Sequence, residues 1–377
     1  MKEIHVSQQI TKRLENVRKR MREMEIDTLM IMSDENRRYL SGFSGRDSQF
    51  DESSGALFIS DDTLLFATDS RFTEQAAQEA PFFQIYCYTT GLSKEIFGIL
   101  SRMKTRRLGY EAKRLSCHQQ QEMQDTLSAN GSNVILVAAD ASLETLRSIK
   151  DETEIAHIRN SLALAENAFL RVQKEIEIGM TEKELSWKLE QALRNDGADG
   201  LSFPSIVAIG QNSALPHAIP GETMLREGTQ LLFDWGALLN GYCSDITRTL
   251  FIGESDERFE KIFQTVLEAN QKATLKIRAG VSGKEIDRIA RSHIEAMGYK
   301  EYFSHGLGHG VGLAVHEPPR LSPLKEDILQ SGMVVTVEPG VYIPGWGGVR
   351  LENLVVVRED CAETLNTIPC IPYGWKR

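Results

Sequence analysis

A chain of 377 residues is too long for one ordinary hydrophobic core, so two domains are expected. Its 41% hydrophobic and 25% charged residues are ordinary for a globular protein, and a net charge of −10 with no basic run argues against nucleic acid as a partner. The N-terminus has no apolar stretch of signal-peptide length, no run is long enough to span a membrane, and Cys87, Cys117, Cys243, Cys361 and Cys370 are irregularly spaced. They read as reduced thiols, so a cytoplasmic setting away from membranes is expected.

Residues 1–140 alternate helical and strand patterns. A charged amphipathic helix is predicted over 8–24 and a strand over 27–32. A hairpin joins 55–60 to 63–67 across Asp61-Asp62. Further strands are predicted at 83–88, 107–110 and 133–137, with helices near 94–103 and 117–128. This is an α/β domain with a mixed sheet, assigned to residues 1–145. A long helix then opens the second domain, 146–377. Over 152–176 it places Ile155, Ile158, Leu162, Ala165, Phe169, Val172 and Ile176 on one stripe.

The second domain contains an internal repeat. Gly-Met-Thr-Glu-Lys-Glu-Leu at 179–185 recurs as Gly-Val-Ser-Gly-Lys-Glu-Ile at 280–286, and Gly197 matches Gly298 at the same offset. In both copies a helix is predicted to end at Gly, and a Ser/Thr-x-x-Glu capping box to start the next. Each half then reads as helix, helix and strands, ending in a hairpin that bears two carboxylates.

The first hairpin turns at Asn240-Gly241, where both positions tolerate positive φ. A two-residue loop there sets Leu239 opposite Tyr242 and Asp234 opposite Thr247. Asp245 becomes the diagonal neighbour of Asp234 on the same face, with Cβ atoms about 7–8 Å apart. Cys243 shares that face and reads as a packing residue.

The second hairpin pairs 333–337, which delivers Glu338, with 351–357, which carries Glu352. Pro344, Gly345, Gly347 and Gly348 supply the turn. Glutamates within such apolar strands need a cation. Arg350 could provide one for Glu352, but that leaves Glu338 unexplained. His309 lies in His-Gly-Leu-Gly-His-Gly-Val-Gly. It stands seven residues before His316, an odd step that would put the two on opposite faces of a straight strand, so the glycines must bend the chain if both are to reach one pocket.

Asp234, Asp245, His309, Glu338 and Glu352 together form an oxygen-rich ligand set suited to Mn²⁺, Co²⁺, Fe²⁺ or Zn²⁺. Four carboxylates and an imidazole are more than one ion requires, and suit two adjacent ions.

These motifs resemble those of the pita-bread metallopeptidases, the family of methionine aminopeptidase, aminopeptidase P and prolidase. Arg38-Tyr-Leu-Ser-Gly-Phe-Ser-Gly45, Thr68-Asp-Ser-Arg-Phe72 and the stretch from Phe203 to His217 are similar to the proline-directed branch. The resemblance implies an α/β N-terminal domain of the creatinase/prolidase type. It also implies an α+β pita-bread C-terminal catalytic domain with an internal pseudo-twofold repeat.

The resemblance further implies two divalent ions, manganese first, on Asp234, Asp245, His309, Glu338 and Glu352. Glu338 would be both ligand and proton acceptor. His316 and His217 would contact the reacting carbonyl, and His305, Tyr342 and Arg350 would wall a pocket for a proline ring. The expected activity is hydrolysis of the N-terminal Xaa-Pro bond of peptides with proline second, by a homodimer or larger homo-oligomer. The alternative is prolidase, confined to Xaa-Pro dipeptides. A metal-free creatinase-like hydrolase or a non-catalytic binding module would have lost carboxylates that are all present here.

Overall fold

Runs such as Thr-Leu-Met-Ile and Ala-Leu-Phe-Ile have no polar face, which suits strands covered on both sides. In the computed structural model, which describes residues 2–47, 49, 52–139, 142–371 and 374–375, they form the centre of a six-stranded mixed sheet. Its strands are β1 (Thr28–Ile31), β2 (Ala56–Ile59), β3 (Leu64–Thr68), β4 (Gln84–Cys87), β5 (Arg107–Tyr110) and β6 (Ile135–Ala138), in the order β4-β3-β2-β1-β5-β6. The predicted hairpin across Asp61-Asp62 is present, with Ile59 opposite Leu64.

Helices α1 (Lys2–Glu23), α2 (Asp34–Ser41), α3 (Thr73–Glu79), α4 (Leu92–Arg102) and α5 (Cys117–Ala129) accompany the sheet, and α6 (Ser142–Ser148) leads onward. Met30, Phe58 and Leu65 of the sheet share a core with Ile96 and Leu100 of α4 and with Met123 and Leu127 of α5. The chain divides into two units, Met1–Arg147 and Ser148–Arg377. No helix among the described residues is long and apolar enough to cross a membrane.

The second unit opens with α7 (Glu152–Lys174), whose predicted apolar stripe is buried along its length. Phe169 of this helix stacks on Trp235 at 4.4 Å, and Trp235 Nε1 donates to Ala165 O at 3.0 Å. The repeat is visible in the helices that follow. α8 (Glu182–Asn195) pairs with α7, as α10 (Gly283–Ala296) pairs with α9 (Glu257–Thr274). Gly179 and Gly280, each leading into the second helix of its pair, have φ of 93° and 84°.

Thr181 forms the complete capping box with Glu184. At Ser282 the expected box is not complete, because its hydroxyl accepts from Lys284 N instead. That first turn is held by Gly283, whose N–H donates to Asp327 O at 2.8 Å.

Each half contributes a two-stranded ribbon. In the first, β9 (Thr229–Trp235) and β12 (Ile246–Ile252) pair antiparallel with Asp234 opposite Thr247. Beyond a break, β10 (Ala237–Leu239) and β11 (Tyr242–Cys243) continue in the same register to the Asn240-Gly241 turn. These are numbered after the short strands β7 (Gly200–Leu201) and β8 (Ile206–Ile209). The register expected from the turn is the one observed. At the break, a Cβ on Gly236 would lie 1.9 Å from Ser244 O, so only glycine fits.

The second ribbon follows β13 (Gly308–Gly310), β14 (Glu317–Ser322) and β15 (Lys325–Glu326). β16 (Val334–Val337) pairs with β19 (Asn353–Val357), and β20 (Ala362–Thr364) joins at the edge. Where the sequence suggests one long turn, the structure inserts a further hairpin of β17 (Gly340–Ile343) and β18 (Gly347–Arg350), which keeps the register of the pair behind it. Glu352 therefore sits just before β19 rather than within a strand.

At both breaks, side chains add hydrogen bonds to the backbone carbonyls. Ser161 and Ser202 each donate to Ala237 O at 2.7 Å. Asn270 of α9 donates to Val337 O at 2.7 Å and to Leu351 O at 3.3 Å.

Candidate metal centre

The breaks in the two ribbons carry the acids. Asp234 is the penultimate residue of β9, and Asp245 lies in the gap between β11 and β12. Glu338 follows β16 and Glu352 precedes β19. Oxygens of Asp234, Asp245 and Glu352 lie within 4.8 Å of one another. His309, on β13, brings Nε2 to 3.3 Å from Glu338 Oε1 and 3.6 Å from Asp245 Oδ2. All five candidate ligands thus converge on one place.

The donor chemistry fits a cation. Burial, together with the charges of neighbouring carboxylates, pushes Asp245 and Glu352 well above the ordinary carboxylate range. Asp234 is raised by burial and only partly compensated by Arg350. Burial also acts on Glu338, but the His309 hydrogen bond and the charges of His309, His305 and Arg350 outweigh it and hold the group at about 2.

Asp234 Oδ1 and Glu352 Oε1 are buried with no hydrogen-bond partner. The His309 Nδ1 lies 3.2 Å from Gly310 O, a contact that requires the proton on Nδ1. Its other nitrogen, Nε2, faces the carboxylate oxygens, the placement a metal-ligating imidazole needs. Buried carboxylate oxygens left unpaired beside one another are mutually repulsive unless cations lie between them.

A polar frame holds the acids in place. Arg350, wholly buried, donates from Nη2 to Asp234 Oδ2 at 2.5 Å, from Nη1 to Tyr342 Oη at 2.9 Å and from Nε to Thr247 Oγ1 at 3.1 Å. Thr247 in turn donates to Glu352 Oε2 at 2.7 Å. The guanidinium therefore pairs with Asp234, not with Glu352, the alternative that its sequence position left open, and reaches Glu352 only through Thr247. Thr336 performs a similar task, accepting from His309 N at 3.0 Å and donating to Glu338 Oε1 at 3.1 Å. Arg248 donates to Glu352 O.

Residues 156–359 match the model of metallopeptidase family M24, and residues 13–149 match the creatinase/prolidase N-terminal domain. The chain belongs to metallopeptidase family M24.

It is 36% identical over 355 residues to an Xaa-Pro dipeptidase of Pyrococcus furiosus, covering 94% of this chain and 97% of that one. Among solved structures, it superposes on an Xaa-Pro dipeptidase from Bacillus anthracis with a TM-score of 0.90 and 34% identity, covering 96% of this chain and 99% of that one. An X-Pro aminopeptidase from Thermotoga maritima gives 0.84 and 36% identity, with coverage of 94% and 99%. The fold is the one the motifs implied, an α/β N-terminal domain followed by a pita-bread catalytic domain, and M24 membership implies divalent metal ions.

The remaining predicted residues lie around the four acids. The bends after β13 bring His316 back onto His309, edge to face, with ring centroids 4.4 Å apart. Partial desolvation of the His316 ring, together with the charges of His309 and Arg320, lowers its pKa to about 4. His217 is exposed on the loop after β8, and its charge reaches His316. His305 Nε2 lies 2.8 Å from Tyr342 Oη, and burial lowers its pKa. Burial pushes Tyr342 up to about 12.

Thr247, Thr336 and Arg248 have site-supporting roles that the sequence reading did not assign. Thr247 had a signal, since the hairpin register already placed a hydroxyl opposite Asp234. Arg248 depends on a contact remote in sequence, and Thr336 joins its near neighbour Glu338 to the distant His309.

Proposed function

We propose that this M24 protein hydrolyses Xaa-Pro peptide bonds with two divalent ions held by Asp234, Asp245, His309, Glu338 and Glu352, and that its primary substrates are Xaa-Pro dipeptides. The observation carrying the reading is the convergence of these five side chains with orphaned oxygens between them. When bound, the ions supply Lewis acidity and a water of lowered pKa. Manganese suits the oxygen-rich set, and the exposed thiols of Cys87, Cys117 and Cys361 favour a reducing, cytoplasmic setting. We assign the N-terminal domain to residues 1–145 and the catalytic domain to 146–377, and take the working form to be a homodimer.

The chain's own groups then divide the work. Glu338, ionised at neutral pH, accepts the proton of the attacking water and returns it to the leaving nitrogen. His316 is neutral there and donates an N–H to the developing oxyanion, with His217 approaching the same carbonyl. His305, Tyr342 and Arg350 form the wall against which the proline ring packs. An Xaa-Pro bond has no amide N–H to donate, so such a site relies on shape rather than on a backbone hydrogen bond to that nitrogen.

The choice of dipeptide over longer peptide rests on the dipeptidases of Pyrococcus furiosus and Bacillus anthracis. It displaces the aminopeptidase expectation, which the Thermotoga maritima structure keeps as the second reading. A dipeptidase needs a cation for the substrate's free carboxylate. Arg320 is exposed on β14 opposite His309, with its charge felt at His316, and could supply it.

Rates on Ala-Pro and on Ala-Pro-Ala decide between the two readings. Ala-Pro should be the better substrate, and Arg320→Gln should raise its KM while sparing the tripeptide. Faster release of alanine from the tripeptide would make the protein an aminopeptidase. Equal rates on Ala-Pro and Ala-Ala would remove the proline-directed reading altogether.

A further inference from the structure

Lys150 and Glu317 form an ion pair at the base of the site, with Nζ 2.5 Å from Oε1 and both side chains 1% exposed. Neither is a candidate ligand, and Lys150 lies between the two stretches matched by the domain families. Burying two charges costs desolvation that their attraction commonly only offsets, so the pair needs a reason other than stability.

Its surroundings suggest one. Glu317 directly follows His316 and is the first residue of β14. Its carboxylate lies under the glycine loop, so close that a Cβ on Gly312 would be 2.3 Å from Oε1. The loop is also pinned at Val311, whose N–H donates to Val334 O at 3.0 Å, and at Gly312 O, which accepts from Cys243 N at 2.8 Å. Lys150 is fixed at the root of β16. Its N–H donates to Gly332 O at 2.9 Å, Ile149 bridges Met333, and Nζ also donates to Ser148 O at 3.1 Å. β16 is the strand that ends at Glu338. The pair therefore ties the irregular segment bearing His316 to the strand that presents Glu338.

We propose that the buried Lys150–Glu317 ion pair is a positioning device that fixes the His316 imidazole relative to Glu338, setting turnover rather than substrate affinity. The proposal rests on the reading of His316 as the oxyanion donor. Neither Lys150 nor Glu317 touches substrate; they act through the backbone of the adjacent residue. A displacement of about 1 Å in such a group costs on the order of 100-fold in rate.

The test is a double-mutant cycle on metal-loaded protein, with Ala-Pro or Ala-Pro-Ala as substrate, whichever is turned over faster. Lys150→Met should lower kcat by about 10- to 100-fold with KM and metal content nearly unchanged. In a His316→Ala background it should cost nothing further. Lys150→Met/Glu317→Leu removes both charges, so it should fold even if the single variant does not, yet keep the low kcat.

Equal losses from Lys150→Met with and without His316 would overturn the proposal. So would recovery of the wild-type rate in the charge-free pair, which would reduce the ion pair to mutual neutralisation. If His316→Ala alone leaves kcat intact, the oxyanion reading is what fails, and the positioning proposal falls with it.

Discussion

The ribbon of β9–β12 meets its break with three serines around one carbonyl, whereas the ribbon of β16–β19 relies on one asparagine reaching from α9. Their acids differ as well. Asp234 in the first ribbon is paired with Arg350 of the second, and Asp245 is raised by burial and like charge. In the second ribbon, Glu338 is held ionised by its neighbours while Glu352 is raised. One architecture, repeated, thus yields four carboxylates in different electrostatic states. The site's charge balance is closed between the halves, so neither ribbon would hold it alone.

The largest effect should come from removing one acid from either ribbon. Asp245→Ala should abolish turnover and metal loading while the fold persists, and Glu338→Gln should abolish turnover as well. Turnover assays with elemental analysis check both. An Asp245→Ala protein that keeps its metal would detach the first ribbon from the centre. Next in size, His316→Ala should lose about 10²–10³-fold in kcat with metal retained, the usual scale for one oxyanion donor. If its metal content falls in step with rate, His316 is a ligand instead.

The contrast among the carboxylates also sets a pH dependence. Asp245 and Glu352 start from ordinary values of 3.8 and 4.5 and are raised in the folded, metal-free protein. The native state therefore binds more protons than the unfolded chain above those values, and metal-free stability falls as pH rises through that window. Metal binding must expel the same protons, so affinity should increase with pH. Glu338, held at about 2, is already ionised in the folded protein near neutral pH and releases no proton on metal binding there. Calorimetry in two buffers of different ionisation enthalpy should show proton release; no release would mean that both acids are already ionised.

The smallest effect separates the two breaks. Asn270→Ala leaves two buried carbonyls without their donor and should cost about 1–3 kcal/mol. Ser202→Ala should cost less, because Ser161 still serves Ala237 O. Equal losses in denaturant unfolding would show that the breaks are supported alike.

How much of this was legible in the sequence follows from the range of the interactions. Asn240-Gly241 is local turn chemistry, and it fixed a register that carried Asp234 to Thr247 correctly. The α7 stripe and the strands of the first unit were likewise readable, because periodicity reports burial directly. The second ribbon was read less well. Its glycine-rich middle looks like one turn, and nothing local reveals that β17 and β18 hold the register beyond the break that Asn270 supports. Proximity in sequence offers Glu352 as the partner available to Arg350, whereas the fold brings Asp234 to it. Lys150 and Glu317 have no local signature of pairing. The five candidate ligands are legible because each sits in its own motif; the frame around them is not, because most of its contacts join residues far apart in the chain.

The central claim is that both ribbons and His309 hold two ions together. Anomalous scattering from a crystal of manganese-loaded protein tests it most directly. Two peaks about 3.5–4 Å apart should appear between Asp234, Asp245, His309, Glu338 and Glu352, in contact with acids from both ribbons. No peak there, or a single ion bound by one ribbon only, would contradict it.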